Sequence, residues 1–522
     1  MTIVKKTIPN LYRDSVSLMQ FTEKVKNLPG VLQASAVMAT ENNLNLLLEA
    51  GLLDESLPAN PNHLLLVVES TDETAALSAL SQAEKLLQQR PETKAVSEHD
   101  EMTPRSVWMA LEVLPGANLA LISTPGEYAA AEALKALRLG LNVMLFSDNV
   151  SLEDELTLKQ YARDHDLLVM GPDCGTAVIR GIPLGFANVL RPGNIGVVAA
   201  AGTGLQQVTS LIDRRGMGIS QGIGTGSHDL NRHIGGITML QGIAALAADP
   251  ETRVIVLISK PPEPEVAQKV LKLAVASGKE VVVIFIGADP ATIQRPGLYA
   301  ARTLEEAAFV ACQLAEGQPP APPQDMLPPG LEEQALRTAS QLAPRQRYIR
   351  GLFSGGTLCA ESLLLLQDLI GPVYSNTPLQ PQYRLPDVWR SREHTAIDMG
   401  DDLFTRGRPH PMIDFRLRNE RILQEAADPE TAVILLDIVL GYGSHPDPAG
   451  ELLPAIHQAG QTARQAGREI IFVSSVCGTR GDPQNLERQE TLLRESGVLL
   501  AESNAQATRL AAMIVKHAGG KL

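Results

Sequence analysis

Two short stretches of this chain place a glycine–threonine pair directly after an apolar run and before a helical one. They are Gly202-Thr203-Gly204 in AAAGTGLQQ and Gly355-Gly356-Thr357 in FSGGTLCAE. Glycine permits a tight turn and close backbone approach, and the free N–H groups and positive dipole of the following helix favour an anion. Two such helix starts facing one another would clamp a phosphoryl group from both sides. A single copy also reads as a plain strand-to-helix turn; its duplication points towards function. A third stretch, GRPHPMIDFRLR at 407–418, sets Pro409 and Pro411 around His410 and adds Arg408, Arg416 and Arg418. The prolines fix φ on either side of the imidazole, and the guanidinium forks suit a carboxylate or phosphate. The alternative is a stiff, solvated turn.

Just before it, IDMGDD carries Gly400 with Asp398, Asp401 and Asp402. Hard oxygen ligands of this kind suit a divalent cation, but an acidic loop is also simply soluble. LGYGSHPDPAG at 440–450 is a further glycine-bearing strand exit, with Gly441, Gly443 and the nearby His445. A lone histidine carries little weight. In MGPDCGT at 170–176, a nucleophilic Cys174 would need a base or positive neighbour that is not visible, so the stretch reads as a structural turn. The candidates are therefore Arg408 and His410 for chemistry, with no metal-ligand set assigned. Gly202, Thr203, Gly204, Gly355, Gly356, Thr357, Gly400, Asp401, Gly441 and Gly443 are the candidates for phosphate or substrate.

The elements that must hold these residues are legible as alternating patterns. NLALIST, LNVMLFS and LLVMGPDCG are apolar runs separated by helical periodicity, and the pattern resumes with NIGVVAAAG, RVIVLIS and EVVVIFIG. Later YIRGLFSGG, AVILLDIVLGYG and EIIFVSSVCG repeat it. Continuous apolar strands between amphipathic helices predict α/β, doubly wound parallel sheets of Rossmann-like or flavodoxin-like type. The first hundred residues instead read as a small α+β unit, with strands in TIVKKTI, VLQASAVMA and HLLLVVES and helices near 15–28, 41–51 and 73–90. Six prolines in GQPPAPPQDMLPPG mark a spacer at 317–330. The expected domains are 1–100, 101–190, 191–316 and 331–522.

An internal repeat supports that division. GVVAAAGTGLQQV pairs with GLFSGGTLCAESL, GIGTGSHDLN with IDMGDDLFT, and DPETRVIVLIS with DPETAVILLDI, in the same order. Two copies of one α/β domain with a shared cleft follow. A net charge of -14 opposes nucleic acid and anionic membranes, so small molecules and other proteins are the expected partners. Four scattered cysteines and no long apolar run lead to a cytoplasmic expectation. None of the strand exits named here is a GxxxxGK[ST] phosphate loop.

GRPHPMID, SDNVSLEDE and MGPDCGTA make the chain resemble the FdrA family, distant relatives of succinyl-CoA synthetase. The resemblance implies a CoA-binding-like domain at 101–190 and ligase-like domains at 191–316 and 331–522, without an ATP-grasp domain. It also exposes departures. Where the relative carries a phosphohistidine, this chain reads GADPATIQRPGLYAARTLEEA, and Lys260-Pro261-Pro262 stands where an acidic residue would orient that histidine. The glycine-rich CoA loop is missing as well. The resemblance therefore implies a carbamoyltransferase subunit of the oxamate type, acting on carbamoyl phosphate with other subunits in purine or allantoin breakdown and without a resident cofactor. The alternatives are an acyl-CoA synthetase component, for which CoA or ATP would be the cofactor, and a ligand-binding scaffold without catalysis.

Overall fold

The computed structural model describes residues 2–88 apart from positions 10, 12, 14, 41, 42, 45, 46, 49, 50 and 54–56, and then 104–320, 328–406 and 408–519. The first unit is a three-stranded antiparallel sheet of β1 (Thr2–Ile8), β2 (Val31–Ala39) and β3 (Asn60–Ser70) in the order β1-β3-β2. Its central strand is apolar from Leu64 to Val68 because both faces are covered there. Leu64, Leu66 and Val68 pack with Leu18 and Phe21, while Leu65 and Val67 pack with Leu44, Leu47 and Leu52 on the other side. The helix expected near 41–51 falls largely outside the described residues.

The second unit is a parallel sheet of β4 (Leu119–Ile122), β5 (Asn142–Leu145) and β6 (Val169–Met170). The hairpin β7 (Thr176–Ile179) and β8 (Ile182–Gly185) leaves it and pairs with the next domain, because β7 runs antiparallel beside β10. The expected boundary at 190 therefore splits the hairpin from its own sheet. That sheet also holds β9 (Pro192–Ala199), β10 (Ile219–Gly224), β11 (Val254–Ser259), β12 (Glu280–Phe285) and β13 (Leu298–Ala300). The last domain contains β14 (Tyr348–Phe353), β15 (Thr395–Asp398), β16 (Thr431–Val439), β17 (Ile471–Cys477) and β18 (Leu499–Ala501).

The strand orders establish the repeat. One sheet runs β13-β12-β11-β9-β10 before the hairpin, and the other runs β18-β17-β16-β14-β15, so each is a parallel 2-1-3-4-5 sheet. In this topology ligands bind at the carboxyl ends of the strands, where the order reverses. The reversal points follow β9 and β14, the strands that lead into the two glycine–threonine helices. A helix begins at Gly202 three residues after Ala199, and another at Gly356 three residues after Phe353, so Thr203 and Thr357 are equivalent. This register differs by one residue from the pairing of GVVAAAGTGLQQV with GLFSGGTLCAESL by eye. A single apolar core runs through both domains, from Val197, Leu205 and Ile258 to Leu358, Val433 and Leu510. Among the described residues no helix is long and apolar enough to cross a membrane.

Candidate functional site

The two helix starts meet. A Cβ added at Gly355 would lie 2.9 Å from the Thr203 methyl, and one added at Gly204 would lie 3.0 Å from the Thr357 methyl. The Thr357 N–H donates to Thr203 Oγ1 across the domain boundary at 3.4 Å. Neither helix has a side-chain cap, since Ala201 and Gly355 occupy the N-cap positions. Apart from the Thr357 N–H, which Thr203 Oγ1 takes, the backbone donors that a serine or aspartate at the N-cap would satisfy have no capping side chain.

Charged groups surround this junction. Lys260, at the exit of β11, brings Nζ to 4.0 Å from Asp398 Oδ2 at the end of β15. A Cβ on Gly356 would meet that same oxygen at 2.4 Å and Lys260 Nζ at 3.2 Å, so the helix start, the cation and the carboxylate share one small volume. Burial pushes the Asp398 carboxyl up to about 6, with Lys260 pulling the other way. Beneath them, Asp437 of β16 accepts the N–H groups of Ser354 and Gly355 at 2.8 and 2.7 Å and holds the strand-to-helix turn open. Arg418 lies fully buried behind it, 2.7 Å from Asp437 Oδ1 and 2.8 Å from the Leu352 carbonyl.

His410 belongs to the same place. A Cβ on Gly400 would stand 2.9 Å from His410 Nε2 and 3.3 Å from Asp398 Oδ1. His410 Nδ1 accepts the Met412 N–H at 3.2 Å, which leaves the proton on Nε2. Burial holds the ring neutral by lowering its pKa to about 4, and Phe186 packs beside it at 5.6 Å. His410 is thus a neutral donor aimed at the Gly400–Asp398 side of the cleft.

The structure separates the remaining candidates. Arg408 lies over the Trp389 ring at 5.9 Å, Arg416 pairs with Asp414, and Arg418 is consumed by Asp437. No fork of the three is placed against the helix starts, so the expected catalytic role of Arg408 is not supported by its position. Asp401 caps a short helix by accepting the Leu403 N–H at 3.0 Å. Gly441 and Gly443, at φ of 111° and 80°, let their strand exit press against Ala187 and Phe186. They serve backbone approach rather than a phosphate, because the 185–188 segment already fills the space beside them. Cys174 is buried, and burial pushes its thiol up to about 12, which disfavours a nucleophilic thiolate there. Lys260, Asp437 and Ser354 were missed. The only signal was positional, since Lys260 and Ser354 directly follow repeated strands and Asp437 lies near the end of β16.

Asp398 predicts a pH effect. As pH rises through about 6 it ionises, and sulfate, a dianion throughout, should bind roughly tenfold more weakly, the ~1.4 kcal/mol of one pKa unit. Asp398→Asn should flatten that profile in calorimetric titrations. Because the folded pKa is raised, the associated stability is present below the ordinary carboxylate range and lost as pH rises through about 6.

The family patterns for CoA-ligase, for a CoA binding domain and for the AllF heavy metal-associated domain match residues 352–514, 191–287 and 1–104. The CoA-binding match falls one domain later than the sequence expectation of 101–190. The mitochondrial succinate–CoA ligase [ADP-forming] subunit alpha-2 of Trichomonas vaginalis is 28% identical over 35% of this chain and 60% of its own length. Subunit alpha 2 of the same enzyme in Archaeoglobus fulgidus is 26% identical over 28% of this chain and 50% of its own length. Each is thus matched over only about half of its length or slightly more. Among solved structures, PH0766 from Pyrococcus horikoshii is 15% identical, with a TM-score of 0.34 over 82% of this chain and 88% of that one.

Cysteine thiolates and imidazoles are common donors for a heavy metal. Residues 1–104 contain no cysteine, His63 is engaged with Asn60, and no metal-holding group of His, Cys, Asp and Glu occurs among the described residues. YahF of Escherichia coli K12, an uncharacterized protein, is 46% identical over 96% of both chains. With CoA-ligase-type sheets arranged in tandem around the Thr203–Thr357 junction and this identity along nearly its whole length, the chain belongs to the family of YahF.

Proposed function

We propose that this chain is an acyl-CoA synthetase-type subunit whose cleft binds the phosphoryl end of an acyl phosphate. The observation that carries the reading is the meeting of two uncapped helix starts at Thr203 and Thr357, with Lys260 beside them. The succinate–CoA ligase relatives are named as subunits, which supports action with partner chains. The carbamoyltransferase expectation finds no counterpart in the names of the relatives, so CoA-ligase-type chemistry takes precedence over it. Membership of the FdrA family remains part of this proposal, on the motifs that carried the resemblance.

In this reading the Thr203 and Thr357 hydroxyls, the backbone N–H groups at Gly202, Thr203 and Gly356, and Lys260 bind the phosphate oxygens, the Thr357 N–H being taken by Thr203 Oγ1. Preorganised donors aimed at charge that develops as phosphate departs are worth about 3 kcal/mol each. His410, neutral and protonated at Nε2, donates to an oxygen on the Gly400 side. One observation favours carbamoyl phosphate as a second reading. GADPATIQRPGLYAARTLEEA has no histidine to store a phosphoryl group, so the mixed anhydride would be consumed where it binds.

The test is thermal unfolding of the chain with and without partner subunits, against acetyl phosphate, carbamoyl phosphate, CoA and ATP. A ligand at 100 times its dissociation constant adds about 2.7 kcal/mol. Acetyl phosphate should shift the transition, and Thr203→Val with Thr357→Val should abolish that shift while leaving any CoA shift intact. A shift with carbamoyl phosphate alone would install the second reading. The absence of any acyl phosphate shift with partners present would overturn both.

A further inference from the structure

A second histidine stands on this cleft with a carboxylate committed to it. Ala199 pairs with Gly224 and Phe353 with Asp398, and Ala199 and Phe353 are equivalent in the repeat. Counting on from these pairs, Gly226 matches Gly400 and His228 matches Asp402. The loop after β10 is therefore the pseudo-symmetric partner of the loop that carries Gly400, at the carboxyl ends of the other sheet.

The His228 setting is built from buried polar groups. Lys159, with no exposed side-chain surface, donates to Glu155 Oε1 at 2.7 Å, Asp229 Oδ1 at 2.8 Å and the Thr225 carbonyl at 3.0 Å. Asp229 in turn accepts the Thr238 and Met239 N–H groups at 3.1 and 2.8 Å. These contacts hold Glu155 rigidly, yet its second oxygen, Oε2, is buried and has no hydrogen-bond partner. The group facing it is His228 Nδ1, at 3.7 Å. The Glu155 side chain is 1% exposed and that of His228 56%, so the imidazole meets a buried carboxylate through Nδ1 while much of the ring is open to solvent. Asp148, Asp173 and Asp402 add their fields from three other segments, Asp173 and Asp402 each interacting with both Asp148 and His228. Asp402 also feels the charge of Asp401, and Asp401 acts on Asp398, so the fields of the two loops overlap.

An unpartnered buried carboxylate oxygen is costly unless something answers it. We propose that His228 is the proton-transfer group of the cleft and that Glu155 is its positioning residue. The proposal rests on the acyl phosphate reading above. An acceptor thiol or amine gives its proton to Nε2 as its sulfur or nitrogen bonds the acyl carbon. The bond from that carbon to the phosphate oxygen breaks, and phosphate leaves with the electron pair towards the Thr203–Thr357 junction. Glu155 holds the Nδ1 proton and steadies the imidazolium, which then returns the acquired proton to water. A separation of 3.7 Å in the unliganded chain tightens readily on substrate binding. The Glu155 contact raises the His228 pKa above its ordinary value, as a paired imidazole requires.

The experiment is a pH titration of histidine-labelled chain by NMR, with the His228 signal among the ten histidines identified by its loss in His228→Gln. The expected midpoint lies above the ordinary value and falls by roughly half a unit or more in Glu155→Gln. Should Glu155→Gln fail to fold, Asp402→Asn, on the surface, should lower the midpoint by a smaller step. Acetyl phosphate should move the His228 signal in the parent chain and leave it still in Thr203→Val with Thr357→Val. A His228 midpoint at or below the ordinary value would overturn the dyad. An unmoved His228 signal in a chain that still shows the acetyl phosphate thermal shift would overturn its role in proton transfer. Loss of the thermal shift itself would instead remove the acyl phosphate reading, with the dyad still decided by the titration.

Discussion

Asp437→Ala should destabilise the second ligase-like domain by about 3–5 kcal/mol, the cost of leaving a buried charge without its partner. Asp437 and Arg418 are both fully buried, and Asp437 is also the acceptor for the Ser354 and Gly355 N–H groups. Removing the carboxylate therefore strands a guanidinium and two backbone donors together. Replacing both residues, with Asp437→Leu and Arg418→Met, should recover most of the stability, because an apolar pair avoids the desolvation that the ion pair must offset. It should not recover phosphate binding, since the turn before Gly356 loses its anchor. Urea unfolding followed by Trp389 fluorescence in a Trp108→Phe background reports from within this domain, as these are the two tryptophans of the chain. A loss of less than about 1 kcal/mol in Asp437→Ala would mean that the pair is worth no more than a surface one.

Lys260→Gln should weaken sulfate binding by about 10–100-fold at pH 8, the worth of one charge-assisted hydrogen bond. The substitution acts twice. It removes the cation and leaves Asp398, whose Oδ2 was 4.0 Å from Lys260 Nζ, as an uncompensated negative charge beside the anion. The loss should therefore be smaller below the Asp398 midpoint of about 6, where the carboxyl is protonated. Lys260→Gln with Asp398→Asn should bind better at pH 8 than Lys260→Gln alone. Calorimetric titration with sulfate measures all four species. Equal losses above and below the midpoint would show that Lys260 does not act through this cleft.

The sequence alone determined the sheets and their duplication. Parallel strands buried on both faces must be continuously apolar, so NIGVVAAAG, RVIVLIS and AVILLDIVL announced themselves, and the recurrence of DPET before two of them revealed the repeat. It also singled out the two glycine–threonine turns as candidates for a phosphate, because a glycine–threonine turn after a strand has local physics that needs no partner. Tertiary structure decided which charged residues stand at those turns. Arg408, Arg416 and Arg418 look alike in sequence, yet one stacks on Trp389, one pairs locally with Asp414, and one is buried under Asp437. Lys260 looked like a departure from a family pattern and turned out to face Asp398 from the other domain. His228 and Glu155, far apart in the chain, meet only because helix 152–164 packs beside the loop after β10. Ion pairs between domains depend on the packing of elements distant in sequence, and local periodicity holds no record of that packing. The physics of a turn is written in adjacent residues, whereas the physics of a charged cleft is written in distances that only the fold sets.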